Sequence, residues 1–158
     1  MPEAVNALVI DGAPVDVPID FKITASSVMN SFFIPALAGQ VYAMPGMQTE
    51  LNAVINQPGT FEGFSANYSG AGFSGMHFKF RGMSGAGFED WVRIARRGQQ
   101  RLDAGNYLML AKPSEREPVR LYAAVAPDLY DTILSQCVAG AARSTAPGRD
   151  TRCPTMSN

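Results

Sequence analysis

The chain has 158 residues, 46% of them hydrophobic and 17% charged, with a formal net charge of −1. That is the length of one domain and enough chain to bury a sizeable core. The charge balance excludes the basic excess of a nucleic-acid binder and leaves no strong field for a charged partner, and no apolar run of about eighteen residues exists to cross a bilayer.

In chain order, the opening "MPEAVNALVIDGAPVD" has neither the basic n-region nor the long apolar stretch of a signal peptide. Within it, residues Ala7–Ile10 form a short strand candidate. Residues 15–24 alternate, with Val15, Val17, Ile19, Phe21 and Ile23 on one side and Asp16, Pro18, Asp20, Lys22 and Thr24 on the other. This period of two predicts a strand with one buried face, and Pro18 on the polar side fits a sheet edge or a bulge. A short strand is predicted over Gln40–Ala43. Another follows from Thr49 to Asn56, where Leu51, Ala53 and Ile55 alternate with polar residues. The turn signals "MPGM" (44–47) and "QPGT" (57–60) separate them. Met76, Phe78 and Phe80 then alternate with His77, Lys79 and Arg81. Short strands with such turns indicate a β-sandwich or barrel.

After Arg81 the pattern changes. "GMSGAG" (82–87) reads as a flexible hinge, and Phe88, Trp91, Val92 and Ala95 recur at helical spacing, with Arg93, Arg96 and Arg97 largely on another face. A further helical turn or two is expected over Asn106 to Lys112, and a strand over Val119 to Val125. "APDLYDTILSQCV" reads as a helix with Pro127 and Asp128 in its first turn and Leu129, Ile133 and Cys137 on one stripe. From Ala139 onward the small, polar, Pro- and Gly-containing chain predicts a disordered tail. The fold class is mainly β: a β-sandwich domain over 1–81, a small helix-containing α/β extension over 82–138, and a tail over 139–158.

The candidate site is "GFSANYSGAGFSGM", Gly63 to Met76, a glycine- and serine-rich stretch without charge, Cys or His between two strand-like runs. Connections in compact domains are ordinarily short, so a polar loop of this length is one shaped around something. "VMNSFFIPALAGQVYAMPGM" and "PGTFEGFSANYSGAGFSGMHFKF" resemble the periplasmic domain of subunit II of haem–copper terminal oxidases. The similarity is greatest to the quinol-oxidising, cytochrome bo-type branch. It covers residues 5 to 81 strongly and continues more weakly through "PDLYDTI". The resemblance implies a cupredoxin-like Greek-key sandwich.

It also implies what the loop once enclosed. Relatives that oxidise cytochrome c hold a dinuclear copper centre with the pattern C-x-E-x-C-x3-H-x2-M and an earlier His. Laid on this chain, the thiolates fall at Ser65 and Ser69, the Glu at Asn67, the loop His at Phe73, the Met at Met76 and the earlier His at Asn30. Every spacing is kept and only the Met survives. Soft electron-transfer copper needs thiolate and imidazole donors, so no metal is expected here. The hydroxyls of Ser65 and Ser69 and the amide of Asn67 are expected to bond loop backbone and each other, Phe73 and Met76 to pack, and Gly63, Gly70, Gly72 and Gly75 to permit unusual angles and close approaches.

By the same resemblance, this chain is expected to be a non-catalytic, structural or assembly subunit of a proton-pumping ubiquinol oxidase on the periplasmic side of the bacterial cytoplasmic membrane. Its partners would be subunit I, which carries the haems and copper, and the other oxidase subunits. The complex would use ubiquinol, and no cytochrome c docking is expected. The family's two transmembrane helices and aromatic-rich first strand are not in this sequence, so a soluble piece of a longer protein is expected, with a free sheet edge as a route to dimers.

Two other classes compete. A copper-handling protein would use thioethers such as Met44, Met47 and Met76, although Met44, Met47, Met76 and Met83 are irregularly spaced and read more simply as packing. A quinol-binding domain would make the loop part of an enzyme site. His77 is the chain's one histidine, reads as a surface residue and leaves no Ser–His–Asp set. Arg93, Arg96 and Arg97 read as a solvated helix face before a headgroup or subunit contact. "GMSGAG" lacks the Lys-Ser/Thr of a phosphate loop. Asp128 and Asp131 form no defensible carboxylate pair, and Cys137 and Cys153 fit no zinc spacing and leave a disulfide open.

Overall fold

The computed structural model describes residues 12–70, 72–112, 114 and 118–135. The strand expected at Ala7–Ile10, both cysteines and the tail 139–158 lie outside them. Nine strands and three helices are described, in the order β1 (Gly12–Pro14), β2 (Pro18–Ile23), β3 (Asn30–Phe33), β4 (Val41–Ala43), β5 (Thr49–Val54), β6 (Gly59–Ser65), β7 (His77–Met83), α1 (Gly85–Arg96), β8 (Arg101–Leu102), α2 (Ala104–Leu110), β9 (Ala124–Val125) and α3 (Leu129–Leu134). A five-stranded sheet runs β1-β7-β6-β3-β4, a two-stranded sheet pairs β2 with β5, and β8 pairs with β9. The β1–β7 pair is parallel, whereas β7–β6, β6–β3 and β3–β4 are antiparallel. Among the described residues no helix is long and apolar enough to cross a membrane.

The two larger sheets face each other across the core, giving the mainly β, cupredoxin-like sandwich the sequence implies. Alternation places Phe21 of β2 and Ala53 of β5 inward from one side, and Phe32 of β3 and Phe80 of β7 inward from the other. Ile34 and Ile55, each just past a strand end, close the same cluster. Phe21 joins the sheets, with its ring centroid 5.2 Å from Phe32 and 5.9 Å from Phe80, both tilted. Phe80 has no exposed surface at all. Pro18 is tolerated because β2 pairs on one side only, with β5.

Several elements differ from the sequence reading. The alternation begins at Val15, yet β2 begins at Pro18. Asp16 takes a left-handed backbone at φ 59, a conformation Asp adopts more readily than most residues, and turns the chain so that Val17 is exposed. The 82–87 segment is no hinge: Gly82 and Met83 pair in β7 with β6 and β1, and the Ser84 hydroxyl caps α1 by accepting from the Gly87 amide at 3.2 Å. Pairing and a cap outweigh the local freedom of the glycines. The strand expected over 119–125 shrinks to Ala124–Val125, because the two-residue β8 is the partner it meets.

The predicted helix at 106–112 is α2, capped by Asp103, which accepts from the Asn106 amide at 2.8 Å. The last helix follows Pro127 and Asp128 as expected, with Leu129 buried and Ile133 half-buried. Burial pushes the Tyr107 hydroxyl of α2 above the ordinary tyrosine value, against a smaller lowering by the neighbouring Ser26 side chain. Tyr130 of α3 is also raised, first by desolvation and then by the nearby charges of Asp131 and Glu50.

Two outcomes are expected. Phe80→Ala should destabilise the chain by about 3–5 kcal/mol in urea melts, as loss of a buried ring does; a cost near zero would remove Phe80 from the core. Where both tyrosines are raised, the folded chain keeps protons the unfolded chain releases. Their contribution is therefore full below about pH 10 and is lost as pH rises through the folded values. A Tyr107→Phe/Tyr130→Phe variant should lose less stability than the parent between about pH 8 and about pH 11; equal losses would refute the shifts.

Candidate functional site

Strand pairing brings the site together from two distant stretches. β3 and β6 lie antiparallel with Phe32 opposite Ser65 and Phe33 opposite Phe64. Asn30, at the start of β3, therefore stands beside the end of β6. The Ser65 hydroxyl donates to Asn30 Oδ1 at 3.3 Å and, at 3.5 Å, to the Asn67 carbonyl. Asn30 donates in turn to the Val28 carbonyl at 3.4 Å. Asn67 Nδ2 donates to the carbonyls of Met29 and Tyr68, each at 3.4 Å. These are long bonds near the limit of useful geometry, and the network is correspondingly weak.

The loop proper starts later than the sequence suggests, because β6 runs through Ser65. Beyond it the chain folds back in a short 3-10 turn, Phe73–Gly75. The amides of Phe73, Gly75 and Met76 donate to the carbonyls of Gly70, Gly72 and Phe73 at 3.3, 2.9 and 3.0 Å, and Ser65 N donates to Met76 O at 3.1 Å. Met76 thus returns to the strand from which the loop left. The Ser69 hydroxyl is turned toward the Met76 sulfur at 3.9 Å, and Ser69 is itself buried.

Gly72 sits at φ 89, and Gly70 at φ 122, angles that a side chain resists. Gly63 serves differently: it lies opposite Phe78 in the ladder, and a Cβ there collides with the Phe78 ring. Gly75 closes the 3-10 turn, and its φ is not positive.

Phe73 departs from its expected packing role. It is half-buried and outside the core cluster. Its ring lies edge-on to Tyr68 at 5.0 Å, and Tyr68 is 72% exposed. The residue sequence reasoning missed is Ser31, which is 2% exposed and accepts from the Ala66 amide at 2.8 Å. It anchors the loop's first residue, and its signal was its place beside Asn30 in "NSFF".

The arrangement offers a metal two hydroxyls, two amides, a phenyl ring and one thioether. Such donors do not fit a soft copper ion, which takes thiolate and imidazole. Among the described residues no group of three or more His, Cys, Asp or Glu side chains could hold a metal. Met44 and Met47 stand on the turn between β4 and β5, where Met47 is exposed. His77 points outward and meets Glu62 at 3.1 Å, both exposed. Arg93 pairs with Asp90 on the open face of α1 at 2.7 Å.

Comparison with known proteins gives the family and the fold. Residues 2–82 match the family model for the cytochrome c oxidase subunit II periplasmic domain, and residues 96–141 match that for the COX aromatic rich motif. The chain is 48% identical over 123 residues to a cytochrome bo(3) ubiquinol oxidase subunit 2 of Pseudomonas putida, covering 78% of this chain and 39% of the relative. It is 46% identical over 145 residues to a ubiquinol oxidase subunit 2 of Acetobacter aceti, covering 92% of this chain and 46% of the relative. The chain thus spans less than half the length of these curated relatives. The crystal structure of the periplasmic domain of subunit II of cytochrome oxidase from Bradyrhizobium japonicum superposes with a TM-score of 0.53 at 26% identity, covering 54% of this chain and 62% of that one.

A half-exposed ring cannot carry what a core ring carries. Phe73→Ala should therefore cost only about 1 kcal/mol, well below the cost of Phe80→Ala, when the two are melted side by side. Equal costs would place Phe73 in the core after all.

Proposed function

Since the chain belongs to the cytochrome c oxidase subunit II periplasmic-domain family, we propose that it is the periplasm-facing domain of subunit II of a quinol-oxidising haem–copper terminal oxidase. In this reading the domain holds no copper and takes no electrons. It caps and helps assemble the subunit that carries haem and copper, and the complex oxidises ubiquinol. The observation that carries the reading is the donor set: hydroxyl and amide groups at Asn30, Ser65, Asn67 and Ser69, a ring at Phe73, and a thioether at Met76 that already faces the Ser69 hydroxyl. A domain receiving electrons from cytochrome c needs a metal relay close to its surface. A membrane-soluble quinol delivers its electrons without one, so a hydrogen-bonded loop suffices.

Copper titration followed by dialysis and metal analysis tests the electron-transfer part. No retained copper and no thiolate-to-copper absorption are expected; one equivalent of retained copper would overturn the reading. In the source organism's membranes, Ser65→Ala combined with Asn67→Ala should lower the amount of assembled oxidase and leave its quinol KM unchanged. A changed KM at full assembly would instead make the loop part of a quinol site.

A further inference from the structure

A cavity of about 470 Å³ lies between the sandwich and the extension, formed where α2, α3 and the β8–β9 ladder pack against the end of β2 and the segment leading to β3. Its walls are mainly apolar, with Ile23, Phe64 and Phe78 from the sandwich facing Leu102, Leu110 and Ile133 from the extension. The cavity opens to solvent past Ser26 and Ala111, and small-molecule sites fall in a range of about 300–1,000 Å³ with this kind of lining.

We propose that this cavity is a binding site for a neutral, flat, largely apolar small molecule that carries one hydrogen-bond-accepting oxygen. The proposal is independent of the oxidase reading. Neutrality follows from the lining: among the described residues its charged members are Asp20 and Lys22, of opposite sign and both exposed, and neither repays the desolvation of an ion. Flatness follows from the aromatic walls of Phe64, Phe78, Tyr107 and Tyr130, which stack on rings.

The accepting oxygen follows from Tyr107. Its phenol lines the cavity, and burial raises its pKa and holds it protonated, so it carries an O–H for a ligand oxygen. Asn30, Ser65 and Met76 of the candidate site also line the cavity, which places a ligand next to the silent loop.

The test uses 6-propionyl-2-(dimethylamino)naphthalene, a neutral flat dye with one ketone oxygen whose emission shifts to the blue in dry surroundings. Titration of the full chain should give saturable, one-to-one blue-shifted emission. Ala111→Trp and Ser26→Trp, both at exposed positions of the lining, should each abolish it, so a folding failure in one leaves the other decisive. Tyr107→Phe should weaken binding by about fivefold, the loss of one hydrogen bond, with its melting curve unchanged at neutral pH. Acetophenone should displace the dye and 1-octanol should not. Unsaturable emission, binding that survives both tryptophan variants, an unaffected Tyr107→Phe, or displacement by octanol alone would each overturn the proposal.

Discussion

The contact of Phe21 with Phe32 and Phe80 is the constraint on which the rest of the molecule depends. Phe21 comes from the two-stranded sheet and the other two rings from the five-stranded sheet. Without this contact the small sheet would have nothing to bury its apolar face against, and two strands alone are not stable in water. The same contact fixes the facing of β3 and β7. Once Phe32 points inward, Ser31 and Phe33 point away from it, and the pairing of Phe32 with Ser65 sets which part of β6 lies beside Asn30. Phe78, two residues before Phe80, then stacks on Phe32 at 5.6 Å and covers Gly63. The site is thus a consequence of core packing, reached through strand register.

The loop is tied to β3 and β6 by backbone more than by its polar side chains. The side chains make hydrogen bonds of 3.3 to 3.5 Å and one contact to sulfur at 3.9 Å. Hydrogen bonds contribute about 1 kcal/mol each at best geometry, so these long ones hold the loop only weakly. Backbone does more: the 3-10 turn, the return of Met76 O to Ser65 N at 3.1 Å and the Ala66 amide on Ser31 at 2.8 Å are shorter and better placed. The side chains of Asn30, Ser65, Asn67 and Ser69 fill the space, and the chain between them keeps the shape.

Much of this architecture is legible in the sequence where a physical period speaks. Phe21, Ala53, Phe78 and Phe80 each fall on the face their alternation predicts, because a strand with one buried face has few other options. What is illegible depends on partners far away in the chain. β6 hides inside a glycine- and serine-rich segment because its stability comes from Phe32 and Phe78 across the ladder and not from its own propensity. Ser84 converts an apparent hinge into a helix start with a single hydroxyl. The ligand spacing is visible only by likeness to a family, since Ser65, Asn67 and Ser69 carry no chemistry that would draw attention by themselves. The cavity is invisible for a similar reason: Ile23 and Ile133 become neighbours across it only after the extension has packed on the sandwich.

The length of the loop has a physical reason in the strands it joins. Leaving β6 at Ser65 and rejoining β7 at His77 with Met76 O on Ser65 N demands a loop of fixed length, with residues at Gly70 and Gly72 able to take positive φ. Adding or removing one residue would shift β7 by one place against β6. The period of a strand is two, so that slip would turn Phe80 from the core to solvent and Lys79 or Arg81 into it. Loop length is therefore held by the buried rings of the sandwich, whatever side chains stand at Ser65, Asn67, Ser69 and Phe73. Those positions are free to vary, while the loop's outline stays tied to Phe80.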